Sequence, residues 1–348
     1  MPRNTDWEQR LGRRVRLRDL NVLIAVIQAG SMAQAAAALG ITQPAVSASI
    51  ADLEFALGVR LLDRGPRGVS PTPYGQTLLK RGRAAFDELR QGIKEIEHMA
   101  DPASGEIHIA CTESIAAGAL VPIINRLSER YPRVSLRVSL ADTSTLAYPQ
   151  LHARSVDLVV ARLIKPPRAG RLTEQLNAEV LFNDRFRIVA SAAGRWACRA
   201  RIDLSELASE RWISTPLDTL GGMALIEMFH RHGLEPPNLA VTTFSLHLRN
   251  ALGAGGGFVA ALPESVLRLN PQFSGLKILP VDLPMPPWPV GIVTLRNRAL
   301  IPAAQLLVEC AREAVRNMTP RETAKEATPK FQGARKEPSA RSERRVRS

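Results

Sequence analysis

Leu20, Leu23, Ile24 and Ile27 recur at helical spacing, so Leu17 to Ala29 is expected to form an amphipathic helix that Gly30 stops. Ser31-Met-Ala-Gln34 has the S-x-x-Q form of a capping box, and the alanine-rich run to Leu39 predicts a brief second helix ended by Gly40. Thr42 suits the cap of a third helix, whose first turn tolerates Pro44 because the missing N–H has no partner there in any case. Val46, Ile50, Leu53 and Leu57 then follow at 4, 3, 4 spacing, which turns one apolar face inward and leaves Gln43, Pro44, Ser47, Ala48 and Ala51 outward. Beyond Gly58, apolar residues alternate around Gly65-Pro66-Arg67-Gly68, the signal of strand, turn, strand. Thr72-Pro73 opens another helix, along which Leu79, Gly82, Phe86, Leu89, Ile93 and Ile96 repeat at alternating threes and fours up to Met99. Such a stripe serves a seam between two copies, or packing on the chain's own body.

"DPASGE" at Asp101 to Glu106 is a linker by composition. After it, strand-like and helix-like runs from "EIHIACT" through "VDLVVARL" spell β-α-β-α-β, which predicts an α/β domain with parallel strands. The style repeats from "EVLFNDRFRIVAS" to "GFVAALP", and "PWPVGIVTLR" leads into a last helix from Ala303, so two lobes are expected. Past Met318 the apolar pattern stops, and the polar, basic, Pro-punctuated run that follows is expected to be disordered.

Charge changes this picture. The net charge of +13 over 348 residues favours a polyanionic partner, and it divides as +4 over residues 1–100, +4 over 101–316 and +5 over 317–348. The short tail is the densest, though solvated disorder competes there with unspecific adhesion to nucleic acid. Yet from Asp19 through Val59 there is no Lys or Arg at all. Cys111, Cys198 and Cys310 are odd in number and far apart, which favours reduced, buried thiols over zinc or dithiol chemistry. The first twenty residues mix charge signs and lack a secretory pattern, and no apolar run approaches a membrane span, so a cytoplasmic protein without membrane contact is expected.

The stretch "GSMAQAAAALGITQPAVSASIADLEFALGVRLLDR", followed by "TPYG", resembles the LysR-type transcriptional regulators, with supporting marks in "LVPIINRLSERYPRVSLRV", "VDLVVAR" and "NALGAGGGFVAALPESV". The likeness covers roughly residues 15–316. It implies a winged helix-turn-helix over 15–74, a linker helix for dimerisation over 75–100, and a periplasmic-binding-protein-like α/β effector domain over 105–316. Lobe I is then expected at about 105–176 and 280–316, and lobe II at about 177–279, with the basic tail over 317–348. The implied partners are double-stranded promoter or operator DNA, a small-molecule effector as co-inducer with no other cofactor, further copies in a dimer of dimers, and RNA polymerase.

One departure is informative. Where the family usually has Arg or Lys after the helix serine and again a turn later, this chain has Ala48 and Ala51. The resemblance therefore implies groove insertion by the third helix with readout left to Gln43, Ser47 and Ser49, apolar contact from Pro44 and Ala45, and helix-end contacts from Ser31 and Thr42. Gln43 is the foremost base reader, since glutamine pairs both hydrogen-bonding groups of adenine's major-groove edge. Phosphate anchoring then falls to Arg60, Arg64 and Arg67 near the wing, and to Arg13, Arg14, Arg16 and Arg18 ahead of the first helix. The alternative is a winged helix used for protein contact.

For the effector domain, the resemblance places a ligand between the lobes, near Thr112, Glu113 and Ser114 after the first strand, Thr145 after the second, and Thr215 opposite them. Arg162 ends "VDLVVAR" at the edge where open α/β sheets place ligands. Each hydroxyl alone serves equally as a helix cap. Glu113, where a neutral residue is usual, points toward hydroxyl-rich or cationic effectors. An enzyme is disfavoured: no G-x-S-x-G, H-E-x-x-H or Walker motif is present, and "GAGGGF" at Gly253 to Phe258 runs from helix to strand, the reverse of a dinucleotide fingerprint. A plain ligand-binding module with a winged head for assembly is the other rival.

Overall fold

Helices α1 (Leu17–Ala29), α2 (Met32–Leu39) and α3 (Gln43–Leu57) start and stop where caps and glycines direct them in a computed structural model that describes residues 15–65, 68–141, 147–164, 166–283 and 285–316. Gly30, Gly40 and Gly58 end the three with positive φ of 66°, 65° and 69°, a conformation that glycine adopts without a Cβ penalty. The Ser31 hydroxyl accepts the Gln34 N–H at 3.5 Å, and Thr42 accepts the Ala45 N–H at 3.4 Å. Val22, Leu23 and Val26 of α1 meet Ala35 of α2 and Val46, Ile50 and Leu53 of α3 in one buried cluster. Each fully buried aliphatic side chain of this kind stabilises by about 1.5–3 kcal/mol. Ala56 takes the inward place expected of Leu57, which is exposed.

The wing is a two-stranded antiparallel sheet of β1 (Leu62–Gly65) and β2 (Gly68–Pro71). Glu54 of α3 fixes it by accepting the N–H groups of Leu61 and Leu62 at 2.7 and 3.2 Å. The Thr72 hydroxyl donates to the Arg60 carbonyl at 2.8 Å and accepts the Gly75 N–H at 3.1 Å. Gly75 sits so close that a Cβ there would run into the Leu61 carbonyl oxygen, which is backbone and has no room to yield. Gly75→Ala is therefore expected to destabilise the head by about 1–3 kcal/mol, the range for overpacking, lowering the first thermal transition while the effector-domain transition stays in place.

Thr72 caps α4 (Pro73–Ala100), and the expected stripe on this helix divides. Leu79 and Gly82 are buried, with Gly82 close to Leu20 and Ile24 of α1, whereas Leu89, Ile93, Ile96 and Met99 are 51%, 58%, 68% and 82% exposed. A second face of α4 faces its own effector domain through Asp87, whose side chain is 1% exposed. Asp87 accepts from Arg298 Nε at 2.7 Å and Nη2 at 3.0 Å, from Arg154 Nη1 at 2.7 Å, from Gln91 Nε2 at 3.0 Å, and from Arg90. Arg298 reaches on to the Val156 carbonyl at 2.6 Å and Asp157 at 3.1 Å. Burial pushes the Asp87 carboxyl up, but the hydrogen bond from Arg154 and the charge and hydrogen bond of Arg298 outweigh it and hold the group below its ordinary value.

The remainder forms two five-stranded sheets. The first contains β3 (Ser104–Cys111), β4 (Arg133–Leu140), β5 (Leu158–Arg162), β6 (Leu176–Asp184) and β12 (Trp288–Leu295), in the order β4-β3-β5-β12-β6. The strands β4, β3 and β5 run parallel as expected, but β12 pairs antiparallel with both neighbours, so the sheet is mixed. Ile107, Ile109 and Cys111 point to one face under helices α6 (Leu120–Arg130) and α11 (Pro302–Arg316), while Ala110 points to the other with Tyr148 and Val159. The second sheet joins β7 (Phe186–Ser191), β8 (Trp212–Ser214), β9 (Leu239–Thr242), β10 (Val259–Pro263) and β11 (Leu276–Ile278), in the order β11-β7-β10-β8-β9. Helices α8 (Leu220–Arg231) and α9 (Leu246–Ala254) cover its two faces through Phe229 and Leu246. Because β6 belongs to the first sheet, the chain crosses between lobes after Asp184, not near 177 as the resemblance implied. The "GAGGGF" stretch closes α9 and leads into β10, a turn.

Candidate nucleic-acid interface and interlobe cleft

On the head, α3 presents Gln43, Pro44, Ala45, Ala48 and Ala51 to solvent with Thr42 at their edge, and Ser47 is half-buried beside them. Ser49 does not join them. It lies three residues after Val46 and four before Leu53, so the same periodicity that buries those residues turns Ser49 inward, where it is 4% exposed. Ser49 is thus corrected from base reader to core residue. Ser31 is half-buried as the cap of α2. Arg18, Arg60 and Arg64, on other elements of the head, are exposed, Arg18 lying 4.0 Å from Asp19. Arg67, like Arg13 and Arg14, lies outside the described residues. The exposed surface of the third helix is therefore small and uncharged over its first turns, and the exposed arginines of the head stand on other elements.

Between the lobes lies a cavity of about 330 Å³ whose walls include Thr112, Glu113, Ser114, Arg162 and Thr215 together. Thr145 lies outside the described residues. The five come from different places: Thr112 immediately precedes the short α5 (Glu113–Ala117), Arg162 ends β5, and Thr215 follows β8 in the other lobe. Thr112 and Ser114 hydroxyls stand 3.3 Å apart, and Arg162 donates from Nη1 to Ser114 at 2.8 Å. Arg162 also donates from Nη2 to Asp184 at 2.8 Å, and Asp184 accepts from the Ser265 hydroxyl and N–H at 2.6 and 3.1 Å. Arg162 therefore already has an internal carboxylate partner. Glu113 spans the cleft, its Oε2 accepting the Leu246 N–H at the start of α9 at 2.7 Å.

Other wall residues escaped the sequence reading, among them Thr219, Phe244 and Arg249. Thr219 caps α8, with its hydroxyl 2.8 Å from that of Thr215. Arg249 is 6% exposed, its Nε has no hydrogen-bond partner, and among the described residues it forms no ion pair. Burial drives its pKa down to about 10, with the charge of Glu113 pulling it up and that of Arg162 pulling it down. A signal was present in the chain, since Leu246, Arg249 and Gly253 share one helical face and so place an arginine on the inward stripe of α9. Cys198 is exposed, contrary to the expectation of buried thiols, while Cys111 and Cys310 are buried. Among the described residues no cluster of His, Cys, Asp and Glu is arranged to hold a metal, and no helix is long and apolar enough to cross a membrane.

These features coincide with what known proteins show. Residues 17–76 match the family described as "Bacterial regulatory helix-turn-helix protein, lysR family", and residues 100–316 match "LysR substrate binding domain". The transcriptional regulator TdcA of Escherichia coli K12 is 30% identical over 290 residues, covering 83% of this chain and 89% of that protein. GbpR of Azospirillum brasilense is 25% identical over 310 residues, 86% of this chain and 87% of that one. In fold, a full-length OxyR variant from Pseudomonas aeruginosa matches with a TM-score of 0.61 at 19% identity, over 87% of this chain and 95% of that one. Full-length CbnR in complex with its target DNA matches with a TM-score of 0.60 at 20% identity, over 86% of this chain and all of that one, 100%. With both family matches spanning most of its length, the chain belongs to the LysR family of DNA-binding transcriptional regulators, which are not enzymes, and joins a helix-turn-helix head to an effector-binding domain.

Proposed function

We propose that α3 enters the major groove with its uncharged face, that Gln43 and Ser47 read base edges while Pro44 and Ala45 make apolar contact, and that Arg18, Arg60 and Arg64 grip phosphates. The observation that carries this reading is the solvent-exposed face of α3 from Gln43 to Ala51, which bears no charged side chain, in a head whose exposed arginines Arg18, Arg60 and Arg64 stand on other elements. CbnR, which shares the fold, is a protein solved with its target DNA, and that supports using the head in this way. Two heads act together: exposed Leu89, Ile93, Ile96 and Met99 on α4 form the seam between two copies, and dimers pair into tetramers. A small molecule enters the interlobe cleft as co-inducer. By closing one lobe on the other it shifts the assembly between two arrangements of its heads, and so alters contact with promoter DNA and RNA polymerase.

Anisotropy titrations on a selected operator at several salt concentrations test the division of labour. Arg64→Ala is expected to weaken all sequences alike and reduce the slope of log affinity against log salt by about 1. Gln43→Ala is expected to leave that slope unchanged and relax preference at one base pair, by about 1–3 kcal/mol. Equal loss of discrimination in both variants would refute the assignment.

A further inference from the structure

The cleft holds a guanidinium that, among the described residues, has no hydrogen-bond or ion-pair partner. Arg249 is more than nine-tenths buried, lines the cavity and makes no hydrogen bond or ion pair among the described residues. Its two charged neighbours are Glu113 and Arg162. Glu113 already gives Oε2 to the Leu246 N–H, and Arg162 already shares Asp184 and Ser114. The geometry points to a small organic acid as the effector, its carboxylate paired with Arg249 and its apolar body against Phe186, Leu220 and Phe244. This rests on the cleft being the effector site.

A buried cation without a partner is unfavourable, and a carboxylate offers two oxygens that match the guanidinium fork. A cationic ligand meets two arginines here, and a neutral polyol leaves the charge uncompensated. The Glu113 carboxylate does not reverse this, because its hydrogen bond to α9 holds it as a bridge between lobes. The cavity of about 330 Å³ lies at the lower end of the range of small-molecule sites, about 300–1,000 Å³, which suits a single substituted ring with its acid group. The predominance of rings and aliphatic carbons on the walls suits that body.

The test uses the full chain and matched probes that differ in charge: benzoate, benzamide and benzylamine, with their phenylacetyl and cinnamyl counterparts. Thermal shift and calorimetric titration are read on the parent chain, Arg249→Met, Arg249→Lys, and the cleft variants Thr215→Trp and Phe244→Ala. The expected result is a rise in Tm with acids alone, at least tenfold weaker acid binding in Arg249→Met, and partial retention in Arg249→Lys. Ligand-free Arg249→Met is expected to melt higher than the parent, since it removes a buried charge without an ion-pair partner among the described residues. A lower ligand-free Tm makes Arg249 a structural residue and overturns the proposal, and this comparison decides alone if no probe binds. Amides or amines binding as well as acids, or acid binding unaffected by Arg249→Met yet lost in the cleft variants, overturns the ligand class and leaves the cleft intact. Binding indifferent to Thr215→Trp and Phe244→Ala instead moves the effector site elsewhere.

Discussion

Asp87→Ala is expected to destabilise the junction between the linker helix and the effector domain by about 3–5 kcal/mol, the cost of leaving buried charges without their partner. Arg298, whose side chain is 4% exposed, loses two hydrogen bonds, and Arg154 and Arg90 lose one each. Asp157 remains beside Arg298 at 3.1 Å and offsets only part of that loss. Asp87→Asn keeps the shape and removes the charge, so it is expected to fall between Ala and the parent. Because the carboxyl is held below its ordinary value in the folded chain, its contribution is complete above the unfolded carboxylate range. It is lost as pH falls through the folded value. The stability gap between parent and Asp87→Asn, from urea midpoints, is therefore expected to be constant at neutral pH and to shrink from about pH 5 downward. A gap that stays the same down to about pH 3, below the ordinary carboxylate range, would show that packing, not charge, holds this junction.

That junction was invisible in the sequence for a physical reason. Asp87 stands on a helix whose polar residues all look alike in a periodicity plot, and its partners Arg154 and Arg298 lie in loops far along the chain. The head was legible because its determinants are local: capping hydroxyls, three terminating glycines and a strong apolar period. Even there, Ser49 was read by residue type when its place between Val46 and Leu53 already turned it inward. In the cleft, Thr112, Glu113, Ser114, Arg162 and Thr215 were legible through strand ends and do line one cavity. Arg249 was missed because a lone arginine in a helix is ordinarily solvated, although its spacing from Leu246 and Gly253 already set it on the inward stripe of α9 that packs on the second sheet. The lobe boundary failed similarly, because "EVLFND" reads as a strand without saying which sheet completes it, and its partner strand Trp288–Leu295 comes only after the whole second lobe has been traversed.

The two ends of α4 have different partners, and this sets the second large expectation. Leu79 and Gly82 secure the helix to its own head and Asp87 secures it to its own effector domain. Leu89, Ile93, Ile96 and Met99 have no such cover, and each would contribute about 1.5–3 kcal/mol if fully buried. Replacing Leu89 and Ile96 together by Glu places like charges in the seam of both copies and removes two apolar anchors from each. These side chains are exposed within one chain, so the fold of the chain is expected to persist, with the thermal transition of the head unchanged. Sedimentation is expected to show loss of the tetramer, leaving only species joined through the contact that pairs dimers. Operator affinity is expected to fall by about 10²–10⁴-fold, the avidity of two linked heads, while affinity for one isolated half-site stays as it was. A double variant that still sediments with the parent's mass would place the contact between heads on another surface, and equal losses on one and two half-sites would mean that the heads bind independently of each other.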